Sequence, residues 1–156
     1  MKVKTYMSPD VRTIKSKETL QDAAKLMLEA DCGALPVLNE KRQLVGMLTD
    51  RDIALAGFRK GQPLKEISVA DAMSKKAFSI NADDQLTVAE ELMQKEQIRR
   101  LPVLDSSQHL IGILSLSDIA VAFHRDSGRQ VKADEVANTL ASICRHRSHA
   151  HTPAIL

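Results

Sequence analysis

Gly46-Met47-Leu48-Thr49-Asp50-Arg51-Asp52-Ile53-Ala54 returns later in the chain as Gly112-Ile113-Leu114-Ser115-Leu116-Ser117-Asp118-Ile119-Ala120. Working outward from this stretch, Val3–Gly57 lies over Val69–Phe123 without a gap. Leu35-Pro36-Val37-Leu38 falls on Leu101-Pro102-Val103-Leu104, and Met7-Ser8 falls on Met73-Ser74. Such a repeat decides the architecture before any other signal is weighed. With only two copies, each unit is expected to bury its apolar face against the other. Polar residues at matching places in both copies are candidates for contacting one kind of ligand in two equivalent clefts.

Each copy reads strand, helix, strand, strand, helix. Val11-Arg12-Thr13-Ile14 is a short extended piece, and Ser16 is placed to cap the helix that follows. Leu20, Ala23, Ala24, Met27 and Leu28 then recur at helical spacing as one buried stripe, and Gly33 closes it. Leu35–Leu38 and Leu44–Leu48 form a hairpin around a polar turn. Pro36 implies a strand start or a sheet edge, because proline has no N–H for the ladder. A helix capped by Thr49 or Asp50 carries Ile53, Ala54 and Phe58, and residues 57–68 form the linker. In the second copy Phe78-Ser79-Ile80 is extended, and Asp83 or Asp84 caps a helix bearing Leu86, Ala89, Leu92 and Met93. A hairpin follows, then a last helix with Ile119, Ala120 and Phe123. Beyond the repeat, Val136, Leu140 and Ile143 predict an extra helix over 132–144, ending in a polar, frayed tail. The expected domains are residues 1–64, 65–127 and a C-terminal helix with flexible tail over 128–156. The fold class is α/β (α+β): two pseudo-symmetric β-α-β-β-α repeats packed through their sheets, plus a C-terminal helix.

The bulk composition narrows the function. The chain has 156 residues, 44% of them apolar, enough for a real core. A net charge of +2, no Trp, one Tyr and three Phe leave little for base stacking, so nucleic-acid binding is a poor fit. Cys32 and Cys144 form no CxxC pair, which suits a reducing compartment. Met1-Lys2-Val3-Lys4 lacks the apolar core of a signal peptide, and no apolar run approaches the ~20 residues that span a bilayer. The expectation is a soluble, cytoplasmic protein.

The candidate chemistry sits at the strand-to-helix corners. A strand delivers Thr49, and Asp52 follows on the first helical turn, where unpaired N–H groups and the helix dipole attract phosphate oxygens. Thr49 can donate to phosphate, Asp52 can accept both hydroxyls of a ribose, and Arg51 can pair with phosphate charge. Ser115 and Asp118 repeat the arrangement, and Ser117 adds a hydroxyl. The same Thr/Ser-x-x-Asp spacing is also an ordinary helix cap. His146, His149 and His151 stand on a tail without a supporting shell and are assigned to solvent rather than metal. Met27, Met47 and Met93 fall on apolar stripes as core filler. No P-loop, Ser/His/Asp or Cys/His arrangement supports a catalytic centre.

Taken together, the Met-Ser starts, the Leu-Pro-Val-Leu strands and the Gly-apolar-apolar-Thr/Ser-x-x-Asp corners resemble a tandem pair of cystathionine-β-synthase (CBS) domains, a Bateman module. The resemblance covers about residues 3–123. It implies regulation rather than catalysis, with no required cofactor. It implies an adenosyl ligand (AMP, ADP, ATP, NAD or S-adenosylmethionine) bound between the repeats. It places Asp52 and Asp118 at the ribose, and Thr49 and Ser115 at phosphate or ribose. Thr13-Ile14 and Ser79-Ile80 fall on the strand flanking the base. Ala34-Leu35-Pro36-Val37 and Arg100-Leu101-Pro102-Val103 fall on the strand walling the pocket. Arg99-Arg100 stands where many members carry a basic phosphate contact, whereas the first copy has Gly33-Ala34. The second cleft is therefore expected to take several phosphates, and the first either to bind more weakly or to take its basic group from Arg51. The alternative for both arginines is a solvated surface pair. The leading reading is a ligand sensor that works by population shift, as a homodimer or with a regulated partner protein. The competing reading is a structural dimerisation module whose polar corners are caps alone.

Overall fold

The computed structural model describes residues 1–126 and 131–145, and shows two α/β units of one build. The first runs β1 (Ile14–Lys15), α1 (Leu20–Glu29), β2 (Ala34–Leu38), β3 (Leu44–Thr49) and α2 (Asp50–Lys60). A short helix α3 (Val69–Ala72) leads into the second. That unit runs β4 (Ile80–Asn81), α4 (Leu86–Glu96), β5 (Arg100–Leu104), β6 (Leu110–Ser115) and α5 (Leu116–Asp126). The helix α6 (Ala133–Cys144) follows. Each unit has a three-stranded sheet, β1-β2-β3 or β4-β5-β6, parallel on one side and antiparallel on the other. The fold class is the one the repeat implies. No helix among the described residues is long and apolar enough to cross a membrane.

Pro36 is neither at a strand start nor at an edge: it lies mid-strand in central β2, as Pro102 does in central β5. Pro36 faces Met47 and Pro102 faces Ile113 in the antiparallel ladders. Met47 and Ile113 spend their own backbone groups on the far side of the strand, so no N–H is asked of either proline there. The parallel neighbour begins one residue later, at Val37 and at Val103.

The helix starts also moved. Ser16 continues the strand by donating its N–H to the Leu38 carbonyl (3.0 Å). Thr19 caps α1 instead, in a reciprocal box with Asp22. In the second copy neither Asp83 nor Asp84 caps α4. Gln85 occupies the N-cap position, while Asp84 accepts the Asn81 N–H and Asp83 pairs with Lys2 and Lys4. The expected linker is shorter, since α2 continues to Lys60 and stops at Gly61, whose φ of 59° is the left-handed cap glycine tolerates. Leu28 and Phe58 are 83% and 87% exposed, not core. The buried line of α1 is Leu20, Ala23 and Met27, and Leu28 lies 100° round from Met27. Phe58 is five residues from buried Ile53, well off that face. Ala54 and Ala120 are likewise exposed.

The two hydrophobic cores cut across the sequence repeat. Val3, Tyr6 and Met7 pack into the core of Leu86, Met93, Leu101 and Leu114. Reciprocally, Ile67, Val69, Ala72 and Met73 pack into the core of Leu20, Met27, Leu35 and Leu48. The leading segment of each copy therefore completes the other copy's core. Backbone bonds enforce it twice over. Val3 N–H donates to the Asp84 carbonyl (3.0 Å) and Val69 N–H to that of Glu18 (2.8 Å). Further on, Ser8 exchanges two backbone bonds with Ile113 (2.9 and 3.0 Å), and Ser74 exchanges two with Met47 (2.9 and 3.2 Å). Glycine permits this approach. A Cβ on Gly46 would lie 2.6 Å from the Ser74 carbonyl oxygen, and one on Gly112 would lie 2.9 Å from that of Ser8.

α6 packs on α4 and α5, and Val131, Val136 and Ile143 extend the second core. Leu140 is 50% exposed, correcting the expected stripe. The buried position is Thr139, because α4 presents Gln94, whose amide donates to the Thr139 hydroxyl (2.8 Å). One turn N-terminal of Gln94, Glu90 is only 4% exposed, and its Oε1 has no partner. Burial, and next the charge of Glu135, push its carboxyl from 4.5 up to about 7.

Two outcomes follow. Gly46→Ala and Gly112→Ala should each lose about 1–3 kcal/mol in urea unfolding, because the clash is with backbone or with a packed methionine. Unchanged midpoints would contradict the tight approach. A raised carboxylate pKa stabilises the fold below 4.5, and that contribution drains away as pH rises to about 7. The thermal midpoint should fall across that window, and Glu90→Gln should flatten the fall; a fall of the same size in the variant would assign it elsewhere.

Candidate functional site

The two polar corners are built alike, and both act as helix caps. Thr49 Oγ1 accepts the Asp52 N–H (3.2 Å), while Asp52 Oδ2 accepts the Thr49 N–H (2.9 Å) and hydroxyl (2.7 Å). Ser115 and Asp118 repeat every bond, at 3.1, 2.7 and 2.5 Å. One carboxylate oxygen per corner is thus spent on the cap. The other oxygen lies outside it. Asp118 Oδ1 accepts the Ser8 hydroxyl (3.2 Å) from the leading segment of the opposite copy.

Each corner opens onto a cleft whose far wall comes from the other copy. The larger cleft, about 860 Å³, joins Met47, Thr49, Asp50 and Arg51 to the segment from Lys95 to Arg100. Ser74, Lys76 and Phe78 close its side, with Lys76 Nζ 4.4 Å above the Phe78 ring. Ile143 and Cys144 of α6 complete it. The smaller cleft, about 420 Å³, joins Ile113, Ser115 and Asp118 to Asp31–Ala34 and to the stretch Ser8–Arg12. Both volumes suit a small-molecule ligand. The lining positions correspond through the repeat: Asp31 and Gln97, for example, both hold positive φ just past α1 and α4 (47° and 52°).

The charge differs between the clefts. Arg51, Lys76, Lys95 and Arg99 face the larger one against the acids Asp50 and Glu96. The smaller one has Asp10, Asp31 and Asp118 against Arg12. Arg100 borders both. Its partial burial, and then the charge of Arg99, lower its pKa, while Asp50 and Asp118 pull it back up. It is a guanidinium already partly stripped of water, and an anion placed beside it would meet less competition from solvent.

Several expected residues stand elsewhere. Arg99 does not share a cleft with Ser115 and Asp118; it faces Thr49 and Arg51, because the end of α4 in one copy lies against the β3 corner of the other. The expected phosphate cleft is therefore the one with the first copy's corner. Ile14, Leu35, Val37, Ile80, Leu101 and Val103 are core residues at 5% exposure or less, and Pro36 and Pro102 are buried beside them; none lines a cleft. Alternation along the strands turns Leu35 and Val37, and Leu101 and Val103, into the two cores, while the prolines between them are buried on the opposite face. Thr13 and Ser79 are half-buried next to the cleft residues Arg12 and Phe78. Asp52 lines neither cleft, and its Oδ2 is held by Thr49 within the cap. Ser117 faces a neighbouring hollow with Thr5–Pro9, Val121 and Arg125. Ala34 borders both clefts.

The residues that sequence reasoning missed include Lys76, Phe78, Lys95, Gln97, Ile143 and Cys144 in one cleft, and Asp10, Arg12, Asp31 and Cys32 in the other. Most follow the Met-Ser pairs or the first helix of each copy; Ile143 and Cys144 lie beyond the repeat. Knowing that the leading segments cross over would have pointed to the former. Cys32 and Cys144 are free thiols, one at each cleft. Among the described residues no cluster of His, Cys, Asp and Glu is set to hold a metal; His146, His149 and His151 lie outside them.

Comparison with known proteins agrees with this geometry. The CBS domain family model matches twice, over residues 3–58 and 69–125. The CBS domain-containing protein YhcV of Bacillus subtilis is 37% identical over 147 residues, 94% of this chain and 98% of the relative. The crystal structure of CBSX2 in complex with AMP superposes with a TM-score of 0.70 at 28% identity, over 81% of this chain and 98% of that one. The CBS domain pair of MJ0100, in complex with 5′-methylthioadenosine and S-adenosyl-L-methionine, gives 0.71 at 25% identity, again over 81% and 98%.

Proposed function

The chain belongs to the CBS-domain family, and from that footing we propose that it is a regulatory module that binds adenosyl ligands between its two repeats. The observation that carries the reading is the composite build of both clefts: corner from one copy, helix end and leading segment from the other. A ligand in either cleft bridges both copies, so its binding energy depends on their relative placement. A ligand with unequal affinity for two placements shifts the population between them, and nothing more is needed for signalling. The AMP, methylthioadenosine and S-adenosylmethionine complexes of the similar CBS pairs support the ligand class.

The charge distribution sorts the ligands. The larger cleft, with Arg51, Lys76, Lys95 and Arg99, suits the phosphates of AMP, ADP, ATP or NAD. The smaller cleft, with Asp10, Asp31 and Asp118 near Arg12, suits a ribose without a phosphate chain, such as S-adenosylmethionine. No catalytic role is assigned. The bare apolar side chains of Leu28, Leu55 and Phe58 on α1 and α2 give a homodimer a surface to form on. The cytoplasm is the compartment that holds such ligands and keeps both thiols reduced.

The completed capping boxes favour one competing reading, a dimerisation module whose corners only hold helices. Calorimetry separates the two. Arg99→Glu should weaken ATP binding by about tenfold or more at an unchanged thermal midpoint, since a charge-assisted contact is worth about 1.5–3 kcal/mol. Asp118→Ala should lower S-adenosylmethionine affinity and also cost about 1 kcal/mol of stability through the lost cap partner. If AMP, ATP and S-adenosylmethionine all give no heat and no thermal shift, the structural reading stands instead.

A further inference from the structure

α6 lies beyond both matched repeats, yet its last turn forms part of the larger cleft. Ile143 and Cys144 line that cleft together with Ile98 and Phe78, giving it an apolar side as well as its basic groups. The smaller cleft has no counterpart among the described residues: after α2 the chain makes only a short helical turn, Leu64–Glu66, against α1 and then α3, and neither lines that cleft. The two clefts therefore differ in construction as well as in charge.

The attachment of α6 converges on the same place. Gln97 lines the cleft, and its Nε2 donates to the carbonyls of Ser142 (3.2 Å) and Arg145 (3.0 Å). These are carbonyls at the C-terminal end of α6, which lack partners within the helix. Gln97 reaches them from a left-handed backbone conformation (φ 52°) that ends α4. Farther from the cleft, Thr139 is tied to Gln94, and Val136 packs into the second core. Against these contacts stands the buried, unpartnered Glu90 with Glu135 of α6 nearby. The helix is held on α4 and α5 by these contacts, with one buried carboxyl beneath it whose Oε1 has no partner.

Resting on the reading that the larger cleft binds a nucleotide, we propose that α6 is the element that reports its occupancy. The phosphates engage Arg51, Arg99 and Lys95, and the base lies on the apolar side made by Phe78, Ile98 and Ile143. A ligand seated there touches α6 and α4 together, so it binds better when α6 is docked. Linkage then requires the converse: the ligand fastens α6 to α4. A ligand in the smaller cleft has no such contact and leaves α6 unaffected. The module would thus turn one of its two ligand signals into the docking state of a helix that partners can read.

Hydrogen exchange and thiol reactivity of the full chain test this. ATP at saturation should slow amide exchange across 133–144 several-fold. In a Cys32→Ser chain it should slow modification of Cys144 by a thiol reagent to a similar extent. Val136→Asp places a charge under α6 away from the cleft. It should weaken ATP binding about five- to tenfold and leave S-adenosylmethionine protection of Cys32 unchanged. Measured ATP heat with unaltered exchange in 133–144 overturns the role of α6 and leaves the cleft reading intact. Absence of heat with ATP, AMP and S-adenosylmethionine overturns both. If Val136→Asp does not fold, the wild-type exchange comparison decides alone.

Discussion

The structure depends on two reciprocal backbone contacts, Ser8 with Ile113 and Ser74 with Met47. Each places the leading segment of one copy on the outer side of the other copy's third strand. The contact needs a bare Cα on that strand, which Gly46 and Gly112 supply one residue before Met47 and Ile113. The methionines before the two serines pack over the same glycines. The Met-Ser pair and the glycine of each repeat are thus the two halves of one joint. Because Val3 and Val69 then enter opposite cores, neither copy has a complete core by itself. Joining the copies and folding them become one event.

The same joint creates the site. It brings the Thr49 corner against the end of α4 and the Ser115 corner against the end of α1. Capping and ligand binding then compete for few atoms. The box consumes the hydroxyl and one carboxylate oxygen at each corner, which leaves Asp118 Oδ1, shared with Ser8, to the smaller cleft and the cations of the Lys95–Arg100 segment to the larger, whose lining lacks Asp52. The cap holds the acid in one rotamer before anything binds, and a preorganised acceptor loses less side-chain freedom on binding. Divergence between the copies then does the sorting: Arg99 and Lys76 make one cleft basic where the other has Gly33 and Asp10, and neutral Gln97 stands where the other has the acid Asp31.

Much of this was legible in the residues. The gapless repeat foretold two equal units and two corners, and the Gly-apolar-apolar-Thr/Ser-x-x-Asp spacing located them. What the sequence could not reveal was which copy each segment packs on, since Val3 and Val69 carry the same apolar signal whichever core they enter. From that came the misplacing of Arg99 with Ser115. Period alone also placed Leu28 and Leu140 inside. Leu28 sits one step round from Met27, and at α6 the polar partner Gln94 draws Thr139 inward while Leu140 faces out. The missing N–H of Pro36 points to a strand start or an edge, and only the facing residue, Met47, which bonds the other way, makes a central position possible. The strand residues Leu35, Val37, Leu101 and Val103 were drawn into the pocket by resemblance, while their alternation points them into the cores.

The central claim is that one ligand is held by both copies at once. A nitrogen–proton correlation spectrum of the full chain titrated with ATP tests it most directly. The account predicts that the amides of Thr49–Asp52 and of Gln97–Arg100 shift together on a single isotherm. Shifts confined to one copy, or no shifts at saturating ATP, would contradict it.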